Sequence, residues 1–460
     1  ICRNSENTEK PEERKPSGFL LFGSATALAS ITARKSTKKD PTMNKVCAAS
    51  QAFSETNSVA LQRNLRAVLL LRAAQRFMLI APILVPFFAY YGQDIQQIFW
   101  LESLYALTVL IMEVPSGYLA DRYGRVAVLR AGGVFWSLSW LLLLGVDDFA
   151  GLVVFELLGG LGAALLSGAD LALLFDTERE LAQKGSGRPN RAVRNLYVIG
   201  MVAEGAASLA ATGLLLFGGV GLVIAVQTGC GLLVLLASLF LSEPTSVRQR
   251  NKTLLGEFQT LCKVLLALWR QSAFMRRLLA VLCSWPVINV LAIWLMQRIW
   301  VELELGLVHF GWIWCLLQAV GAVTGHIAHE AERLLGPSRV IWLIAAMALA
   351  GLALLGVADL ALALTGSVLL FAARGLFGVL FMDAMNHRIE SEFRATINSL
   401  LGFGYRLGYV VVAWSLGWVF EWFGLWVTVF SLTSLALLIC LTLMLPLAYE
   451  LSAQSAPDSR

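Results

Sequence analysis

From about residue 69 onward, long apolar runs separated by short polar stretches fill the chain. Twelve such runs stand out, near 73–92, 97–117, 126–146, 150–174, 196–216, 220–242, 277–297, 308–328, 338–358, 360–382, 396–417 and 424–447. Each is long enough to cross a bilayer as a helix, which takes about 20 residues. Most lack a continuous polar face, which argues against a bundle of soluble amphipathic helices. The pattern predicts an all-α integral membrane protein with twelve transmembrane helices in two six-helix sets, 69–242 and 277–447. A basic stretch, 243–276, expected to be partly helical, links them, and a tail, 448–460, follows. Residues 1–68 are of another kind, rich in Lys, Ser, Thr, Glu and Asn, and are expected to be disordered. Their one short apolar run, Gly18 to Ile31, reads as a targeting-like segment or as part of an extension upstream of a start at Met43.

Composition agrees with a membrane protein. Hydrophobic residues make up 57% and charged residues 15%, with a mean hydropathy of +0.69, against about 25% charged in a soluble domain. Lys and Arg collect in alternate polar stretches, 117–126, 175–195, 243–276, 329–339 and 384–395. The opposite stretches carry Asp94, Asp147, Asp148, Glu302, Glu304, Asp359 and Glu421, with Arg298 as the exception. Positive charge stays inside, so the first group and both termini are expected to be cytoplasmic. The net charge of +5 follows from this asymmetry and gives no reason to expect nucleic acid as a partner. The seven cysteines form no CxxC pair and no disulfide framework. His326, His329 and Glu330 lack the rest of a metal site. No metal or cofactor is expected, and neither a phosphate-binding loop nor a catalytic constellation points to an ATP-driven pump or an enzyme.

The densest motif is Gly117-Tyr-Leu-Ala-Asp121-Arg122-Tyr-Gly124-Arg125, between the second and third runs. Gly117 is expected to let two helix ends approach closely. Asp121 can pair with an Arg or cap a neighbouring helix, and Arg122 and Arg125 hold the loop in the cytoplasm. A turn whose charges only orient the protein is the plainer alternative. The spacing Gly-x-x-x-Asp-Arg-x-Gly-Arg resembles the loop between the second and third helices of major facilitator superfamily transporters. Ser167-Gly-Ala-Asp170-Leu-Ala-Leu-Leu-Phe-Asp176, Ser242-Glu243-Pro244 and Arg394-Ala-Thr-Ile-Asn398-Ser399 are similar to elements of one bacterial-type permease branch of that family. The resemblance covers roughly 65–447. Gly325-His-Ile-Ala-His329 falls in the corresponding place of the second half, as a repeat would. The resemblance implies a monomeric secondary transporter of the cell or inner membrane. It implies a substrate site between two pseudo-repeats near the midplane and alternating access.

Ionisable side chains inside a bilayer cost on the order of 2.5–3.5 kcal/mol each and so need a reason. The first half places Glu102, Glu113, Glu156, Asp170 and Glu204 in its spans, and the second half Arg374 and Arg406. Glu156, Gly160, Ala163, Ser167, Asp170 and Leu174 recur at helical spacing on one face of span four. Antiporters of the resembled family often carry Arg-x-x-x-Gly-x-Gly here. Glu156 replaces that Arg and is a candidate for taking up a proton itself, as are Asp170 and Glu204. Arg374 and Arg406 are candidates for an anionic substrate group, Arg374 alternatively for pairing with Asp383. Trp285, Asn289 and Gln318 are candidate cavity residues, and Pro82, Pro86 and Pro286 suggest broken helices in spans one and seven. The leading expectation is proton-coupled export of amphiphilic or drug-like compounds. Uptake of an anionic metabolite is the alternative, and a non-transporting scaffold or enzyme a further one.

Overall fold

A computed structural model describes residues 61–183, 191–244, 254–389 and 394–455, and every regular element among them is helical. Helix α1 (61–76) leads through a short 3-10 turn, Ala81–Ile83, into α2 (Leu84–Tyr90). Then come α3 (Ile95–Tyr123), α4 (Arg125–Leu142), α5 (Phe149–Leu166), α6 (Ala169–Gln183) and α7 (Arg191–Leu239). The second half holds α8 (Leu254–Gln271), α9 (Ala273–Glu302), α10 (Val308–His326), α11 (Ala328–Leu335), α12 (Pro337–Leu355), α13 (Leu360–Asn386) and α14 (Arg394–Ile439). A π turn, Cys440–Met444, joins α14 to α15 (Leu445–Ser455).

Ten helical stretches among the described residues are long and apolar enough to cross a membrane. The difference from the expected twelve lies in α7 and α14, each of which takes up two of the expected runs. Each leaves helical geometry at one residue, Gly219 (φ 65°, ψ −159°) and Gly424 (φ 77°, ψ −177°), a backbone region open essentially to glycine alone. The chain turns back at both. Gly200 packs against the Arg76 side chain, while Gln227 donates to the Phe77 carbonyl at 3.4 Å. A straight helix would hold positions 200 and 227 about 40 Å apart. Likewise Gly404 packs against Cys283 and Glu450 pairs with Arg277, although a straight helix would separate 404 from 450 by about 69 Å.

Three of the expected breaks and boundaries move. Residues 61–68, expected within a disordered extension, are helical, with Leu61, Asn64 and Val68 buried. Asn64 exchanges hydrogen bonds with the backbone of Ser242, which fixes this turn to the end of α7. The expected tail is helical as far as Ser455. Span one is broken, as its prolines suggest, but span seven is not: α9 runs on through Pro286. The break appears in span four instead, where Ser167 is extended and Gly168 has φ +82°. Asp170 therefore does not continue the face that carries Glu156.

Short connections end the helices on the side away from the motif: 91–94, 146–148, 303–307 and 356–359. The acids found there have a local task. Asp94, Asp148 and Asp359 accept from the backbone N–H of Gln97, Gly151 and Leu362 at 2.8–2.9 Å and so cap α3, α5 and α13. Helices from the two halves meet as α3 on α14, α7 on α10 and α2 on α9. Large apolar side chains such as Ile111, Leu144, Phe217 and Phe430 stay exposed, as a lipid-facing surface requires.

Candidate functional site

Helix α3 orders three cavities along its length. Ile95 and Ile98 line one of about 710 Å³ at the end away from the motif. Glu102 and Tyr105 line a central one of about 260 Å³. Glu113, Gly117 and Asp121 line one of about 500 Å³ at the motif end.

The central cavity is walled mainly by aromatic and aliphatic side chains and holds four charged groups, Glu102, Glu156, Glu204 and Arg374. Trp140 meets Phe155 edge-on at 5.3 Å and Trp136 at 6.1 Å, and Trp314 meets Phe371 at 5.7 Å. Trp294 is held by its indole N–H, which donates to Tyr409 Oη at 3.2 Å. Glu156 is only 4% exposed, and the charge acting on it is that of Glu102. Neither carboxylate forms a hydrogen bond or ion pair with a described residue. Glu204 accepts from the Gln318 amide and so links α7 to α10. Arg374 lies over the Phe371 ring at 5.6 Å, in the field of Glu204, with no ion pair among the described residues.

Ties between the two halves bound this cavity at both ends. Toward the motif, Arg406 Nη1 lies 2.7 Å from Glu113 Oε2, and Ser399 donates to the other oxygen at 3.3 Å. Toward the opposite end, Gln297 accepts from the Val85 N–H and donates to the Ala81 carbonyl, both at 3.0 Å. Trp100 of α3 stacks there on Trp414 of α14 at 5.2 Å.

At the motif, the expected loop is almost absent: α3 runs to Tyr123 and α4 begins at Arg125. Gly124 alone breaks the helix, with φ +94°. Gly117 does not serve a close approach; a side chain there would meet open space. Asp121 faces the motif-end cavity without a bonded partner among the described residues, and the cap comes from elsewhere. Glu243 accepts from the N–H groups of Arg125 and Val126 at 2.9 and 2.8 Å. Arg125 pairs with Asp176 and bonds the Ala172 carbonyl. Arg122 donates to Tyr118 Oη at 2.6 Å and lies over the rings of Tyr118 and Tyr123.

The remaining candidates scatter. Asp170 pairs with Arg72, fully buried, away from the central cavity. Arg406 is committed to Glu113, and Asp383 faces His329 and His387 rather than Arg374. Trp285 and Asn289 are buried in α9, where Asn289 donates to the Trp285 carbonyl; Val290, Ile293 and Trp294 line the cavity instead. No group of three or more metal-ligating side chains occurs among the described residues. Sequence reasoning placed Glu102 in a span without assigning it to the site. It missed the tryptophan walls, the Glu243 cap and the Gln297 tie, whose partners lie far away in the chain.

Residues 67–413 match the family model described as Major Facilitator Superfamily. An uncharacterized transporter from Buchnera aphidicola subsp. Schizaphis graminum is 30% identical over 78 residues, which cover 17% of this chain and only 19% of that protein. Among solved structures, the nucleoside transporter NupG aligns at a TM-score of 0.65 and 13% identity, covering 86% of this chain and all of that one. A mutant form of the peptide transporter POT aligns at 0.63 and 16%, covering 85% and 95%. A D-xylose-proton symporter aligns at 0.56 and 15%, covering 83% and 96%. At these identities the likeness is one of fold.

Proposed function

The chain belongs to the major facilitator superfamily and is a membrane transporter rather than an enzyme, and we propose that it carries a small amphiphilic solute by alternating access, coupled to protons. The observation that carries this reading is the central cavity. Its Trp and Phe walls suit an amphiphilic or drug-like body, and two carboxylates with no bonded partner among the described residues, Glu102 and Glu156, sit among them. Two like charges in a mainly apolar cavity repel, and a proton or a cationic group relieves that repulsion. Alternating access finds support in the two separate ties, at Glu113–Arg406 and at Gln297, either of which can open while the other holds.

In this reading the reversals at Gly219 and Gly424 are span ends, which makes twelve crossings in two sets of six. The basic motif end faces the cytoplasm. Uptake of an anionic metabolite is the weaker reading, because Arg406 is already paired and only Arg374 remains in the cavity.

The test is proton flux in liposomes holding the purified protein. Lipophilic cations, zwitterions, sugars and organic anions would be added in turn under an imposed pH gradient. A solute that moves protons through the wild type but not through Glu156→Gln is the expected result. Solute movement that is unaffected by the pH gradient and by the substitution would remove the coupling.

A further inference from the structure

We propose that the solute is a zwitterion: a small apolar body carrying an ammonium group, held by Glu102 and Glu156, and an acidic group, held by Arg374. This assignment rests on the central cavity being the transport site and names the chemistry of its cargo.

Unsatisfied charge of both signs lines one cavity. On the α3–α5 side, Glu102 and Glu156 have no bonded partner among the described residues, and the charge acting on Glu156 is the like charge of Glu102. On the α13 side, Arg374 has an aromatic ring beneath it and no ion pair among the described residues. Glu204, the one acid acting on Arg374, is itself bonded by Gln318. Glu156 is buried, and an isolated charge held away from water is expensive unless a partner compensates it; Arg374 stays exposed, so water serves it until an acidic group arrives. Direct pairing of Arg374 with the carboxylate pair would have been the cheap solution, and the fold does not use it. A ligand with both charges compensates both walls at once. A purely cationic ligand leaves Arg374 bare, and a purely anionic one adds repulsion at Glu102 and Glu156.

Aromatic side chains line the same cavity. Trp136, Trp140 and Phe155 pack on one another and line the cavity together with the two carboxylates, and ring faces also favour an ammonium group. Trp314 lines the cavity near Arg374 through its contact with Phe371. At about 260 Å³ the cavity fits a compact body of amino-acid size. A pair of carboxylates can hold the ammonium group between them and still exchange a proton, because one negative charge is enough to balance it.

The experiment is binding to the purified protein in nanodiscs, read by thermal shift and calorimetry. The probes are phenylalanine, leucine and tryptophan, each as the free amino acid, the amide (cation), the N-acetyl acid (anion) and the N-acetyl amide (neutral). The wild type should bind at least one free amino acid about tenfold or more tightly than its three relatives, the scale of one charged hydrogen-bonded contact. Arg374→Gln should abolish that preference and leave the amide bound, which also reports that the variant is folded; Arg374→Lys should restore part of it. Glu156→Gln should weaken the free amino acid and the amide together. An amide that binds the wild type as well as the free amino acid would overturn the assignment. So would a protein that ignores every one of these probes.

The two proposals fail separately. Proton movement triggered by a lipophilic cation, with no zwitterion bound, would remove the zwitterion and keep the coupled transporter. Selective zwitterion binding without proton movement would do the reverse.

Discussion

Asp170 has no solvent exposure, and Arg72 is the cation bonded to it. Removing one member of a buried pair strands the other charge, at a cost of about 3–5 kcal/mol. Asp170→Ala should therefore lower the unfolding midpoint in detergent strongly. Arg72→Leu combined with Asp170→Leu should lower it less than either single change, because no lone charge remains. A double variant that simply sums the two losses would show the residues acting independently. Glu243 is a milder case. Its carboxylate caps α4 from 118 positions away, and Glu243→Ala should cost about 1 kcal/mol, the usual worth of a helix cap. Sequence reading singled out Asp170 from its burial in a span, but gave it to the wrong neighbours. The helix face that joined it to Glu156 assumed a continuous span four, and the turn at Ser167–Gly168 breaks that face. Glu156, Glu204 and Arg374 were legible because each is a charge in an apolar run, a cost visible in one dimension. The tryptophan walls were not, because a Trp in an apolar run looks the same whether it faces lipid, a helix or a cavity.

Among the elements, the lengths of the apolar runs located the long helices, and the differences lie where a single residue decides. Pro286 sits inside an unbroken α9, while the glycines at 168, 219 and 424 reverse or break helices without any proline. Proline marks a missing hydrogen bond that a membrane helix can tolerate; a glycine's left-handed backbone leaves no trace in hydropathy. Gly219→Val and Gly424→Val should each cost about 1–3 kcal/mol, the strain of a side chain in that region of backbone space. Gly229→Ala is the matched control. It lies in a helical part of α7 with open space around it, and alanine there should be neutral or slightly stabilising. Thermal unfolding followed by size-exclusion recovery reads all three. Equal losses at 219 and 229 would mean that the reversal does not depend on glycine.

For the molecule as a whole, the proposed alternating access makes the balance between the two end ties decide which cavity is open. In a cysteine-free background, Ser167→Cys reports the motif-end cavity and Ala89→Cys the opposite one. Arg406→Gln should raise maleimide labelling at 167 and lower it at 89. Gln297→Ala should do the opposite. About 1.4 kcal/mol of lost tie corresponds to a tenfold change in the ratio of the two states. Labelling that rises at both positions in either variant would speak against alternation and for general loosening.

The end of the molecule that carries Gly219 and Gly424 is cut almost flush with the helices. Its other connections, at 91–94, 146–148, 303–307 and 356–359, are equally brief. Among the described residues no connection there is long enough to fold over an opening, so tilting of whole helices is the route by which that mouth shuts. The same trimming leaves little protruding surface for an antibody to grasp. Binders raised against the intact protein should cluster on the motif side, and a fiducial for imaging belongs there.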